Sequence, residues 1–246
     1  MSQTLRILLI DDNPDDRTLA TRELKRGFTN IDIVQVADAE GLTQALQEGG
    51  FDLVITDYQL RWTDGLTVLR TIKGSWPDCP VVMFTATGSE EVAVEAMKAG
   101  LNDYVLKSPK HFPRLTAAVR LALEQAEQRR ALKEAETRYR SLFDGVPIGL
   151  YRATPTGQLL DANPALVKML GYPNRDALLA VNLAHLYANP EERQQWLLLM
   201  ERSGLVQNFE VQMRRLDGTI IWVRNSASAV RDEQNQVLYY EGAVVA

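Results

Sequence analysis

The sequence predicts two consecutive folds joined by a helix: an α/β domain with a five-stranded, parallel, doubly wound (flavodoxin-like) sheet, then an α+β domain with an antiparallel sheet. Three observations carry this expectation. Strand-length apolar runs alternate with amphipathic stretches through residues 1–110, a long polar stretch without glycine follows, and short helical patterns then give way to strand patterns joined by tight turns.

In the first part the runs RILLI (6–10), IDIVQV (31–36), DLVIT (52–56), PVVMF (80–84) and DYVLK (103–107) are short and rich in Val and Ile, which suits buried strands. Helical spacing appears between them, as at Leu19, Leu24 and Phe28 after the first run and at Val92, Ala96 and Met97 after the fourth. Start and stop signals agree: Pro14 fits a first helical turn behind Asn13, Ser89 can cap a helix opened by Glu90 and Glu91, and Gly100 can close it. Such alternation implies right-handed crossovers, with ligands bound beyond the carboxyl ends of the strands.

From Pro113 to about Phe143 the pattern is one long helix. Leu115, Val119, Ala122 and Ala126 suit packing on the sheet. A heptad-like row follows at Ala118, Leu121, Gln125, Gln128, Leu132, Ala135, Tyr139 and Leu142, and it predicts a parallel dimeric coiled coil softened by its two glutamines. A solvated linker helix is the alternative.

DGVPIG (144–149) breaks that helix and opens the second domain. Its strand patterns LYRAT and QLLDA flank the turn PTG, the helical stretches PALVKML, RDALLAV and EERQQWLLLM come next, and FEVQMRR, TIIWVRNSAS and VLYYEGAVV end the chain through the turns LDGT and DEQN. The expected boundaries are 1–125 for the first domain, 113–143 for the linker helix and 144–246 for the second domain.

Composition narrows the function classes. Of 246 residues, 46% are hydrophobic and 24% charged, as in ordinary folded proteins, and 27 basic against 32 acidic side chains leave a net charge of −5, which gives no reason to expect a nucleic-acid partner. The single cysteine, Cys79, excludes an internal disulfide framework and a multi-cysteine metal site. No segment approaches the roughly 20 apolar residues of a membrane span, and a cytoplasmic protein is expected.

The chemistry concentrates at the strand ends of the first domain. Asp11 and Asp12 follow the first strand, Asp57 the third, Thr85 ends the fourth and Lys107 the fifth. Close carboxylates repel by roughly 4 kcal/mol per pair at ~4 Å and an effective dielectric of ~20, so a divalent cation, Lys107 or both must offset them.

These five positions resemble those of the receiver domain of two-component response regulators. The resemblance implies that Asp57 accepts a phosphoryl group from a histidine kinase or phosphotransfer protein. It further implies that Asp11, Asp12, Asp57 and the Gln59 backbone carbonyl hold Mg²⁺, that Lys107 and Thr85 contact the phosphoryl oxygens, and that Tyr104 swings inward as a switch. Gln59 and Thr87 occupy positions that modulate dephosphorylation in that family, and since neither is a carboxylate a long-lived phosphoryl state is expected. Two departures stand out: Leu60-Arg61-Trp62 replaces the usual Met-Pro, and Ser108 separates Lys107 from Pro109, so a cis bond after the lysine is not carried over. A haloacid-dehalogenase-like hydrolase would want a second Asp where Gln59 stands, and a flavodoxin-like cofactor binder would want a small, glycine-rich first loop rather than DDNPDD.

Residues 145–246 resemble a PAS domain of the sensory-box type, through PIGLYRATPTGQLLDANPALVKMLGYPNRDALL and RRLDGTIIWVRNSASAVRDEQNQVLYYEG. A flavin photoadduct needs a cysteine that this part lacks. Haem would need His185 or one of Met169, Met200 and Met213, but His185 reads as a half-buried structural residue, and Trp222 and Tyr239 read as packing residues. The expectation is therefore an empty or small-ligand PAS domain used for dimerisation, with the receiver transmitting its state to it through the linker helix. No output domain is visible, His111 is no evident phosphate relay, and the chain is expected to be a signalling module rather than an enzyme.

Overall fold

The computed structural model describes residues 4–86, 90–108 and 112–246. Thr87, Ser89, Pro109 and His111 lie outside the described residues. Two compact units result, residues 1–133 and 134–246.

In the first unit the strands β1 (Leu5–Ile10), β2 (Ile31–Val36) and β3 (Leu53–Thr56) alternate with the helices α1 (Pro14–Gly27) and α2 (Ala39–Glu48). A two-residue pair, β4 (Gln59–Leu60) and β5 (Thr63–Asp64), then leads into α3 (Gly65–Ser75). The unit continues with β6 (Val81–Thr85), α4 (Glu90–Lys98), β7 (Asp103–Leu106) and the long α5 (Phe112–Gly145). The five long strands pair in parallel in the order β2-β1-β3-β6-β7.

Strand periodicity divides the core between two faces. Ile7, Leu9, Leu53, Ile55, Val82 and Phe84 meet α1 and the first turns of α5 through Ala20, Leu24, Leu115 and Val119. Leu8, Ile10, Val54, Val81 and Met83 meet α2, α3 and α4 through Leu42, Leu69, Ile72 and Ala96. Because both faces are covered, the strands carry almost continuous apolar runs, and only their carboxyl ends bring polar side chains together.

Capping fixes where the helices begin. Asn13 caps α1, accepting the Asp15 N–H at 3.0 Å with Pro14 in the first turn, and Asp64 caps α3, accepting the Thr67 N–H at 2.8 Å. Gly100 takes a left-handed conformation (φ 96°) where the chain leaves α4.

The second unit contains an antiparallel sheet in the order β10-β11-β12-β8-β9, built from β8 (Gly149–Ala153), β9 (Leu159–Ala162), β10 (Leu205–Arg214), β11 (Ile220–Arg231) and β12 (Val237–Val245). The helices α6 (Pro164–Leu170), α7 (Arg175–Leu179) and α8 (Pro190–Ser203) lie between β9 and β10 in the chain and contribute Leu166, Leu178, Trp196 and Met200 to the core, where Trp196 meets Tyr240 edge to face at 5.2 Å. Asn163, fully buried, caps α6: its Oδ1 accepts the N–H groups of Leu150 and Leu166, and its Nδ2 donates to the carbonyls of Phe143 and Ile148.

Several sequence expectations need correction. Ala118, placed in the heptad row, is buried in the core of the first unit, because α5 is still packing on the sheet there. Of the helical spacing at Val92, Ala96 and Met97, only Ala96 is buried, and Met97 is 44% exposed. Trp222 is 62% exposed rather than packed, because its β11 position alternates with the buried Val223. His185 is exposed in a short 3-10 turn (Leu183–His185), whereas Met200 and Met213 are core residues, so this histidine does not sit with them in the interior. The strand β10 begins at Leu205, four residues earlier than expected, and passes a bulge at which Asn208 has φ 51°.

Candidate functional site

The parallel register sets the acidic residues side by side. Ile10 pairs with Thr56, so the next residues, Asp11 and Asp57, leave adjacent strands at the same edge. The Asp57 N–H donates to the Ile10 carbonyl and the Asp11 N–H to the Val36 carbonyl, which keeps both backbones in the sheet until the side chains diverge. On the other side, the Lys107 N–H donates to the carbonyl of Thr85, so the register of β6 with β7 delivers the lysine beside the fully buried threonine.

Lys107 is the hub of the site. Its Nζ lies 2.6 Å from Asp11 Oδ2, 2.6 Å from Asp57 Oδ2 and 2.9 Å from Asp16 Oδ2, with only 4% of the side chain exposed. Burial alone would lower its pKa, but the hydrogen bonds to the three carboxylates outweigh burial and hold it above the ordinary lysine range. Burial of Asp11 raises the pKa of its carboxyl, an effect that the Lys107 ammonium and the Asn13 N–H partly offset. Oxygens of Asp11, Asp16 and Asp57 fall within 4.8 Å of one another, a hard-oxygen set of the kind that suits Mg²⁺.

The other expected residues are placed unequally. The Oδ2 of Asp12 accepts the Arg61 N–H at 2.8 Å and lies 3.4 Å from the Arg61 guanidinium, so this carboxylate is tied to the β4–β5 loop and is no partner of Lys107. The Gln59 N–H donates to Asp57 Oδ1 at 3.2 Å, which brings the backbone of Gln59 to the Asp57 carboxylate while its side chain is exposed. Tyr104 is half-buried on β7, and its phenol pKa is raised by burial and by the nearby Asp57 and Tyr58. The Lys107–Ser108 bond is trans.

Sequence reasoning missed Asp16. The signal was present in DDNPDD: a helix beginning at Pro14, directly after the strand, turns its first-turn acids back toward the strand end. Gly65 also shapes the site. An added Cβ would lie 2.3 Å from the Asp57 carbonyl oxygen and 2.7 Å from Tyr58 Cα, so only glycine lets α3 start this close to β3. Trp62, whose indole N–H donates to the Ala37 carbonyl, anchors the loop where the usual proline is absent.

A doubly wound sheet that presents these carboxylates around one lysine defines the class of the response regulator receiver domain, and residues 7–120 match that family. Residues 146–245 match the PAS domain family. The chain accordingly contains a receiver domain followed by a PAS domain. Among curated proteins it is similar to the transcriptional regulatory protein ZraR of Escherichia coli K12, with 39% identity over 120 residues that cover 48% of this chain and 26% of that protein. It is similar also to the response regulator protein PilR of Pseudomonas aeruginosa, with 35% identity over 116 residues that cover 47% of this chain and 25% of that one. The chain thus spans about a quarter of these relatives. Among solved structures, NtrX from Brucella abortus aligns with 30% identity and a TM-score of 0.50, covering 55% of this chain and 31% of its own. Among the described residues no helix is long and apolar enough to cross a membrane.

Proposed function

We propose that Asp57 accepts a phosphoryl group from a histidine kinase or phosphotransfer protein, and that the first domain passes this state through α5 to the PAS domain. The observation that carries the reading is the Lys107 ammonium within 2.6 Å of both Asp57 and Asp11 at the carboxyl edge of the sheet. In the transfer an Asp57 carboxylate oxygen forms the new O–P bond while the P–N bond of a phosphohistidine breaks, its electron pair leaving with the imidazole. Lys107 neutralises charge on the phosphoryl oxygens, and Thr85, at the adjoining strand end, donates its hydroxyl to one of them. Asp11, Asp12, Asp57 and the Gln59 carbonyl would hold Mg²⁺. The ion supplies charge neutralisation at the phosphoryl group. Tyr104 responds to the occupied site, and the face around it couples to output.

The PAS domain and α5 act in this reading as a dimerisation element in the cytoplasm. Leu121, Leu132, Tyr139 and Leu142, four of the heptad-row residues, expose 51%, 71%, 37% and 66% of their surface, an apolar row that the single chain leaves open. Incubation with acetyl phosphate and Mg²⁺, followed by peptide mass spectrometry, tests the phosphoacceptor. One phosphoryl group on the peptide containing Asp57, abolished in Asp57→Asn, is expected, and modification at another residue would refute the assignment. Light scattering with and without beryllofluoride tests the coupling, and a constant monomer would refute dimerisation through α5.

A further inference from the structure

The Lys107 ammonium has three N–H donors, and each is matched to a different carboxylate, on Asp11, Asp16 and Asp57. Two of these acceptors are required elsewhere once the proposed phosphoryl site is loaded: Asp57 becomes the acyl phosphate, and Asp11 turns to the divalent cation. Asp12 does not replace them, since its Oδ2 is engaged by the backbone and side chain of Arg61 and the proposed function gives this carboxylate to Mg²⁺. Asp16 alone of the three is assigned neither to the phosphoryl group nor to Mg²⁺ in the proposed function. It sits in the first turn of α1, whose start is fixed by the Asn13 cap and by Pro14, and whose next residue, Arg17, donates to the Asp11 carbonyl at 2.6 Å.

We propose that Asp16 is a positioning residue for Lys107: it retains the buried ammonium and keeps it turned toward Asp57 when Asp11 and Asp57 are withdrawn from it. The proposal rests on the phosphoacceptor reading and adds to it a residue outside the five recognised positions. A lysine on a flexible four-carbon stem that lost two of three partners would otherwise exchange the site for water. With Asp16 in place one charge-assisted hydrogen bond survives throughout, and the remaining donors are free for phosphoryl oxygens.

The test uses the full chain and reads beryllofluoride binding at saturating Mg²⁺ by calorimetry. Asp16→Asn is expected to raise the beryllofluoride concentration for half-saturation about tenfold, the scale of one charge-assisted hydrogen bond, and Asp16→Glu to restore most of the loss. In a Lys107→Met background, Asp16→Asn is expected to leave the beryllofluoride affinity within about twofold of that of Lys107→Met alone, because its partner is gone. An unchanged beryllofluoride affinity in Asp16→Asn would overturn the proposal. So would an equally large loss in the Lys107→Met background, which would show that Asp16 acts on the site other than through Lys107. Failure of the unsubstituted protein to bind beryllofluoride at all would instead strike the phosphoacceptor reading, which separates the two failures.

Discussion

Replacing Lys107 by Met keeps the stem's volume and removes the one cation held among three carboxylates. With their oxygens within 4.8 Å of one another, each ionised pair then repels by about 3.5 kcal/mol at an effective dielectric of ~20. The protein will not bear all three repulsions. The cheaper escape is to protonate one carboxyl, which at pH 7 and an ordinary pKa near 4 costs about 4 kcal/mol. The ionised pair that remains adds up to about 3.5 kcal/mol, which turning the quarter-exposed Asp16 toward solvent reduces, so a destabilisation of at least about 4 kcal/mol is expected for the first unit. The sign of the pH dependence follows. Without the lysine the carboxyl pKa values in the folded state rise above their unfolded values, so the defect is largest near neutrality and shrinks as pH falls through the raised values. In the unsubstituted protein the raised Lys107 pKa means that its contribution is present below the ordinary lysine pKa and fades only as pH rises above it. Hydrogen exchange of peptides covering β1 and β3 across a urea series reads this region alone, at pH 7 and again at pH 5. Mg²⁺ should restore part of the loss. A difference below about 1 kcal/mol that is the same at both pH values would refute the idea that Lys107 is the charge holding this edge together.

Other perturbations follow from individual contacts. Gly65→Ala forces backbone apart at the Asp57 carbonyl, so it should cost about 1–3 kcal/mol in urea unfolding and slow acetyl-phosphate labelling of Asp57; unaltered labelling kinetics would show that the close approach is dispensable. Asn163→Ala removes a helix cap and leaves two carbonyls and two N–H groups without their side-chain partner, an expected loss of about 3 kcal/mol or more confined to exchange in the second unit. Cys79 is buried and its thiol pKa is pushed up to about 11 by that burial, Lys73 offsetting only part of it. Iodoacetamide at pH 8 should therefore modify it about 100-fold more slowly in the native protein than in denaturant, and equal rates would contradict the packing around it.

The alternation of apolar runs with amphipathic stretches was sufficient to place the five parallel strands, and the carboxyl-end rule then put Asp11, Asp57, Thr85 and Lys107 at one edge before any coordinates. The resemblance to receiver and PAS families could be read for the same reason: period and turn chemistry are local properties of a sequence. Contacts set by the third dimension could not be read that way. Asp16 looked like one of several first-turn acids until the strand-to-helix turn brought it within 2.9 Å of a lysine 91 residues away. Asp12 looked equivalent to Asp11 until the loop replacing Met-Pro supplied Arg61 to it. Along α5 the heptad spacing could not distinguish Ala118, which faces a sheet, from Leu132 and Leu142, which face outward, because a helix carries the same 3-4 spacing toward either surface. Trp222 and His185 are exposed by the same logic. Hydrophobicity states what a side chain prefers, while the neighbouring strands and helices decide whether anything is there to cover it.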